Sequence, residues 1–135
     1  MKLAIVGTSK LDKFENQTAR EIISNEFNHR ETKLDWILTG DAVGVDLLVR
    51  EICSSDFINK PLLVTKAKEK KWEGKNGFKS RNSLIAEDCD ELICITTKTK
   101  TRKCYHCNED HQRTGGCWTM QLAKKLGKIT RLYVV

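Results

Sequence analysis

Three glycine-bearing turns interrupt an alternating pattern of apolar strands and amphipathic helices. The first turn, 7–9, follows an apolar run at 3–6, and the second, 39–46, follows an apolar run at 36–38. The third, 114–119, opens an apolar-periodic helix. In an open α/β sheet, such turns lie where strands end and helices begin, and ligands bind at that edge. Backbone N–H groups and helix dipoles favour negative charge there. The pattern therefore predicts a site for an anionic small molecule, above all a nucleotide.

The hydrophobic periodicity predicts an α/β domain. Continuous apolar strands that alternate with amphipathic helices indicate a mostly parallel sheet with helices on both faces. A length of 135 residues suits one domain with one core. We therefore expect a Rossmann-like, single nucleotide-binding domain over 1–135, with an irregular Cys/His excursion at 97–117. The predicted strands are 2–6, 35–39, 61–65, 90–96 and 129–134, and the predicted helices are 15–28, 42–53, 79–87 and 116–126.

Positive charge is concentrated in two polar segments. The chain carries a net charge of +6, and the segment 66–81 holds seven basic residues against two acidic ones. The segment 98–103 holds four basic residues and no acidic one. Such runs attract phosphate ligands or nucleic acid, and they also occur as ordinary solvated surface. Three interpretations of the basic segments therefore remain open: steering of a phosphate ligand, solubility, and polynucleotide binding.

The composition also bears on location and on the cysteines. No apolar run approaches the ~20 residues of a membrane span, and the amino-terminal run is too short for a signal-peptide core. We expect a cytoplasmic protein with no membrane partner. In that compartment, the six cysteines are expected to be thiols or metal ligands rather than disulfides.

The turns and the first residues of the following helices supply the candidate ligand-binding residues. Asp46 is placed to accept a hydrogen bond from a ribose hydroxyl, or to brace and cap its own helix. Arg81 is placed to bind a phosphate bidentately, and Asn82 to recognise a polar group. For both residues, a solvated position on the surface is the alternative. The full set is Gly7, Thr8, Ser9, Gly40, Asp41, Ala42, Gly44, Asp46, Arg81, Asn82, Gly115, Gly116 and Thr119.

The order of these motifs resembles the SLOG superfamily of Rossmann-like proteins. Gly-Thr-Ser is followed by Thr-Gly-Asp-Ala-Val-Gly-Val-Asp, then Gly-Phe-Lys-Ser-Arg-Asn, then Thr-Gly-Gly-Cys-Trp-Thr, across nearly the whole chain. The superfamily includes the DNA-processing protein DprA and the Lonely Guy (LOG) enzymes. The chain is most similar to the small YspA/YpsA-related branch, where a Gly-x-Ala-x-Gly-x-Asp turn and an Arg-Asn pair recur. The resemblance implies binding of a nucleotide or nucleotide derivative along the carboxyl edge of the sheet, and a homo-oligomer, commonly a dimer.

The third turn departs from the LOG enzymes. LOG phosphoribohydrolases carry Pro-Gly-Gly-x-Gly-Thr followed by a catalytic Glu. Here Thr114 stands in place of the Pro, Trp118 in place of the later Gly, and Gln121 near the expected Glu. A Gln side chain cannot act as an ionised base, so the departure argues against LOG-type hydrolysis and leaves nucleotide binding unaffected.

The spacing Cys104-x2-Cys107-x3-His111-x5-Cys117 is typical of a compact tetrahedral zinc site. His106 is an alternative to His111 as the fourth ligand. A redox-active Cys-x2-Cys pair and unligated thiols are the competing interpretations. Cys117 lies near a helix N-terminus, which is expected to lower the pKa of its thiol.

Three functions are compatible with these observations. The first is a domain that binds a nucleotide or nucleotide-derived ligand, as a sensor or a nucleotide-processing protein. The second is a zinc-containing module that binds nucleic acid through the basic segments, and the third is a LOG-like nucleotide phosphoribohydrolase. The motifs leave turnover and the identity of the ligand open.

Overall fold

The computed structural model describes residues 1–55 and 58–135, which form a five-stranded sheet and four helices. All of the strand pairs are parallel. In chain order, the elements are β1 (Lys2–Gly7), α1 (Lys13–His29), β2 (Trp36–Gly40), α2 (Val45–Ser55), β3 (Leu62–Thr65), α3 (Phe78–Asp88), β4 (Glu91–Thr96), α4 (Gly115–Lys125) and β5 (Ile129–Val134). The predicted Rossmann-like α/β class is confirmed, and each predicted strand and helix is present.

The sheet has the strand order β3-β2-β1-β4-β5. The chain builds outward from β1 to β3 and then returns through α3 to place β4 on the other side of β1. The order therefore reverses between β1 and β4, where Gly7 is paired with Ile95. In open α/β sheets, a crevice forms outside the carboxyl ends of the strands at this reversal.

Alternate residues of the central strands pack into two separate cores. On β1, Leu3 and Ile5 face the core formed with α1 and α2, whereas Ala4 and Val6 face the core formed with α3 and α4. Successive strand side chains point to opposite faces, so both faces of the sheet must be covered. The continuous apolar strands in the sequence are explained by this double burial.

Two helix starts differ from the sequence prediction by more than one residue. α1 begins at Lys13 because Asp12 and Glu15 form a capping box, in which each side chain accepts a backbone N–H of the other. α2 begins at Val45 rather than 42, because Gly44 has a φ of 75° and keeps the turn outside the helix. Gly127, with a φ of 79°, follows the end of α4 as the sequence predicts.

Glycines allow three turns to pack against one another at the carboxyl edge of the sheet. A Cβ on Gly7 would overlap the carbonyl oxygen of Ile95, and a Cβ on Gly44 would overlap that of Thr8. A Cβ on Gly116 would lie 2.8 Å from the Cα of Gly7. The space beside these glycines is filled by protein backbone, so their immediate role is close packing of β1, α2 and α4.

We expect Gly44→Ala to destabilise the protein more than Gly127→Ala. Both glycines have positive φ, which costs a non-glycine residue about 1–2 kcal/mol. Only Gly44 adds a backbone clash, because no atom lies within 4 Å of a Cβ on Gly127. Overpacking costs a further ~1–3 kcal/mol. Urea unfolding of both variants measures the difference, and equal losses would contradict the packing role of Gly44.

A candidate ligand cleft beside a metal-ligating cluster

A cleft of about 470 Å³ lies at the carboxyl ends of β1 and β4, where the strand order reverses. Ten of the predicted ligand-binding residues line it: Gly7, Thr8, Ser9, Ala42, Asp46, Arg81, Asn82, Gly115, Gly116 and Thr119. The other three, Gly40, Asp41 and Gly44, do not line it and support residues that do. A cavity of this size is within the usual range for small-molecule sites.

Arg81 is held in the cleft by two neighbouring side chains. Its Nε donates to Asn82 Oδ1 at 2.7 Å, and its Nη1 donates to Asp41 Oδ1 at 2.5 Å. These contacts use two of the five N–H donors of a guanidinium. Asp41 and Asn82 therefore position Arg81, and the Nε–H and one Nη1–H are already engaged within the protein.

Asp46 is a buried carboxylate at the floor of the cleft. Its Oδ2 accepts the Ala42 N–H at 3.3 Å, whereas its Oδ1 has no hydrogen-bond partner among the described residues. The nearby Thr39 hydroxyl donates instead to the Ile5 carbonyl at 2.8 Å. Burial raises the pKa of Asp46 to about 6, against the opposing effect of the Arg81 charge. The interpretation that Asp46 braces its turn fits the Ala42 contact, and an unpaired oxygen remains.

Residues from the excursion form one wall of the cleft, and the sequence analysis did not assign them to the site. Gln112 Oε1 accepts the backbone N–H groups of Lys100 and Thr101 at 2.9 and 3.0 Å. Together with backbone hydrogen bonds such as that from the Arg113 N–H to the Arg102 carbonyl, this oxygen holds the basic segment where Lys100, Arg102 and Arg113 line the cleft. The run of charge at 98–103 indicated an anion-binding role, but no sequence pattern identified Gln112.

Trp72 is an aromatic residue of the cleft lining, and a second ring supports it. Trp72, from the basic loop between β3 and α3, lines the cleft and packs edge-on against Trp118 of α4, with ring centroids 5.1 Å apart. Trp72 therefore packs within the protein and also presents an apolar surface to the cleft.

Cys104, Cys107, His111 and Cys117 come together beside the cleft. Their ligand atoms all lie within 4.8 Å of one another, and these residues could hold a metal ion. The Sγ–Sγ distances are 4.0 Å for Cys104–Cys107 and 3.6 Å for Cys104–Cys117. A tetrahedral metal with metal–sulfur bonds of about 2.3 Å requires sulfurs about 3.8 Å apart. The spacing therefore suits a tetrahedral thiolate site.

The histidine of the cluster is oriented for ligation. His111 Nδ1 lies 2.8 Å from the Gln112 carbonyl oxygen, and Nε2 lies 3.1 Å from Cys107 Sγ. A carbonyl partner on Nδ1 places the proton there and leaves the Nε2 lone pair for a metal. His106 is outside the cluster and packs against Tyr105, so the geometry selects His111 over His106.

One expectation for the cluster is wrong. The position of Cys117 near the N-terminus of α4 suggested a lowered thiol pKa. Burial raises the pKa of Cys117 instead, and the neighbouring thiols of Cys94 and Cys104 add to the rise. A helix N-terminus carries only a partial positive charge. Its attraction does not offset the free-energy cost of removing solvent from a thiolate.

Comparison with known proteins identifies a similar fold. No family model matches the chain, and no curated protein matches it in sequence. A solved structure of DNA processing protein A from Helicobacter pylori, described for its single-stranded DNA binding mode, matches 99% of this chain with a TM-score of 0.59 and 19% identity. The match covers 64% of that protein, so this chain spans less than two thirds of its length. The chain thus has a DprA-like fold.

Within 1–55 and 58–135, no helix is long and apolar enough to span a bilayer.

The raised pKa of Asp46 predicts a pH-dependent stability. Since the folded protein holds this proton up to about pH 6 and the unfolded chain only to about pH 4, stability falls as the pH rises between these values. A shift of this size corresponds to about 3 kcal/mol. In the Asp46→Asn variant, we expect the free energy of unfolding, measured with urea from pH 4 to pH 7, not to show this decrease. Identical pH profiles for the two proteins would contradict the prediction.

Proposed function

We propose that the cleft binds a nucleotide or a nucleotide-derived ligand. The observation that carries the proposal is that five cationic residues line a cleft at the reversal of the strand order. These residues are Lys10, Arg81, Lys100, Arg102 and Arg113. The SLOG-like motif order supports the same conclusion, since ten of the thirteen predicted ligand-binding residues line this cleft.

The cleft offers a partner for each part of a nucleotide. The cationic side chains suit phosphate oxygens, and guanidinium–phosphate hydrogen bonds are among the strong ones. The unpaired Oδ1 of Asp46 suits a sugar hydroxyl or an amine, because a buried acceptor without a donor is costly. Trp72 offers an apolar surface for a base.

The proposed role is binding rather than LOG-type hydrolysis. Among the residues that line the cleft, Asp46 is the one acidic side chain, and it lies at the floor under the β2–α2 turn. Gln121, which stands near the position of the LOG glutamate, does not line the cleft. This arrangement favours a sensor or carrier of a nucleotide and disfavours a glycosidase.

We further propose that zinc occupies the Cys/His cluster as a structural ion. Three thiolates and one imidazole are ligands that Zn²⁺ prefers, and four protein ligands complete a tetrahedral shell. The cluster joins the excursion to the first turn of α4, beside Gly115 and Gly116. A zinc ion would therefore fix the wall of the cleft.

Single-stranded nucleic acid is a second candidate ligand. The DprA structure that shares this fold is described for its single-stranded DNA binding mode. The basic segments that line the cleft are suited to a phosphate backbone as well as to one phosphate. Salt dependence separates the candidates, because polynucleotide affinity falls with salt in proportion to the phosphates contacted.

Mass spectrometry of small molecules released on denaturation tests the proposed function directly. For a defined ligand, we expect Arg81→Ala to weaken 5′-AMP binding about 10- to 100-fold and to leave adenosine nearly unaffected, since Arg81 is proposed to contact the phosphate. Calorimetry measures both affinities. Arg20→Ala is the control, because Arg20 pairs with Glu51 at 3.0 Å outside the cleft. Equal losses for AMP and adenosine would show that Arg81 does not bind the phosphate.

Elemental analysis tests the metal. We expect one zinc per chain in protein purified without added metal, and a loss of that zinc in Cys117→Ser. Cys89→Ser is the matched control, because Cys89 is also buried but lies outside the cluster. Since structural zinc contributes to folding, a chelator should lower the melting temperature of the wild type. Full stability without metal would contradict the structural role.

A further inference from the structure

Tyr105 is an exposed aromatic residue on a rigid support. It lies between the cluster residues Cys104 and Cys107, and 71% of its surface is exposed. Its ring packs against His106, with centroids 4.4 Å apart. The backbone N–H of His106 donates to Cys104 Sγ at 3.2 Å, which ties this short segment to the cluster. An aromatic ring held this way loses little freedom when a flat partner stacks on it.

Tyr105 is continuous with the rim of the ligand cleft. The Arg113 guanidinium lies 5.2 Å from the centre of the Tyr105 ring, and Arg113 also lines the cleft. The Arg113 backbone N–H donates to the Arg102 carbonyl at 2.8 Å, so the two arginines are adjacent on the cleft wall. A path therefore leads from the cleft across Arg102 and Arg113 to the exposed ring. We call Arg102, Tyr105 and Arg113 the stacking platform.

The charge around the platform suits a phosphate backbone. The segment 97–113 contains five basic residues, Lys98, Lys100, Arg102, Lys103 and Arg113, and two acidic ones, Glu109 and Asp110. Lys100 is paired with Glu15 at 2.7 Å, which anchors the segment to α1. A basic track next to an exposed ring is the combination with which proteins bind single strands: cations follow the backbone and rings stack on bases.

We propose that the platform binds single-stranded nucleic acid, with one nucleotide in the cleft and a neighbouring base stacked on Tyr105. The proposal rests on the proposed function for the cleft, and it names the ligand class as a strand that extends beyond one nucleotide. Peptides fit the platform less well, because a peptide does not carry the regular series of negative charges that the phosphates of a nucleic-acid strand present to the basic residues.

The experiment compares thymidine 5′-monophosphate with a fluorescent oligothymidylate of about eight nucleotides, a length within the range that small single-strand sites cover. We expect wild-type protein to bind the oligonucleotide more tightly. Tyr105→Ala should weaken oligonucleotide binding about 5- to 100-fold, as expected for loss of one stacked base, and leave the monophosphate unchanged. Tyr105→Phe keeps the ring and should retain most of the affinity.

Phe14→Ala is the matched control, since Phe14 is 84% exposed and lies outside the cleft and the excursion. Unchanged zinc content shows that Tyr105→Ala preserves the cluster. The platform proposal is wrong if oligonucleotide affinity is unchanged in Tyr105→Ala, or if it falls equally in Phe14→Ala. In either case, the proposed function of the cleft stands. If the oligonucleotide depends on Tyr105 but the monophosphate does not bind, the platform stands and small-nucleotide binding is wrong. If neither probe binds, both proposals are overturned.

Discussion

The contact between Gly116 and Gly7 determines how the rest of the site is arranged. With no side chain on either residue, the first turn of α4 lies directly against the end of β1, and a Cβ on Gly116 would be 2.8 Å from the Gly7 backbone. The same turn of α4 carries Cys117, so the Cys/His cluster is placed by this backbone contact. The wall of the cleft then follows from the cluster. A displacement of α4 would therefore alter the cleft and the cluster together.

The basic residues that line the cleft are held in place by ion pairs and hydrogen bonds within the protein. Asp41 neutralises part of Arg81, Glu15 pairs with Lys100, and the Gln112 side chain fixes the backbone of the basic segment. Preorganised charges of this kind need little reorganisation when an anion arrives. Asp46 is the exception, because its burial is unfavourable in the protein alone. Buried polar groups that lack a partner in the free protein are typical of functional sites, where a ligand can supply the missing hydrogen bond.

The sequence predicted the fold more completely than the site. The strands and helices were predictable because double burial produces continuous apolar strands, and the glycine turns marked their carboxyl ends. The four cluster residues were predictable because metal ligation constrains spacing along the chain. The start of α2 was misplaced, since the positive φ of Gly44 depends on packing against Thr8. Gln112, Lys10 and Arg113 were not found, because their positions depend on the path of an irregular segment. Self-association stays a prediction.

The excursion contains almost no side chains that could form a hydrophobic core, and yet it follows a defined path. Ordering a polar segment of this length costs considerable chain entropy, which buried apolar surface usually offsets. Here backbone hydrogen bonds such as that from the Gln112 N–H to the Thr97 carbonyl, the side-chain oxygen of Gln112 and the four cluster residues hold the segment, so many of the remaining positions make no packing contact. Substitutions at those positions can change the surface of the excursion while the fold stays intact. The wall of the cleft can therefore vary between proteins whose sheets remain alike.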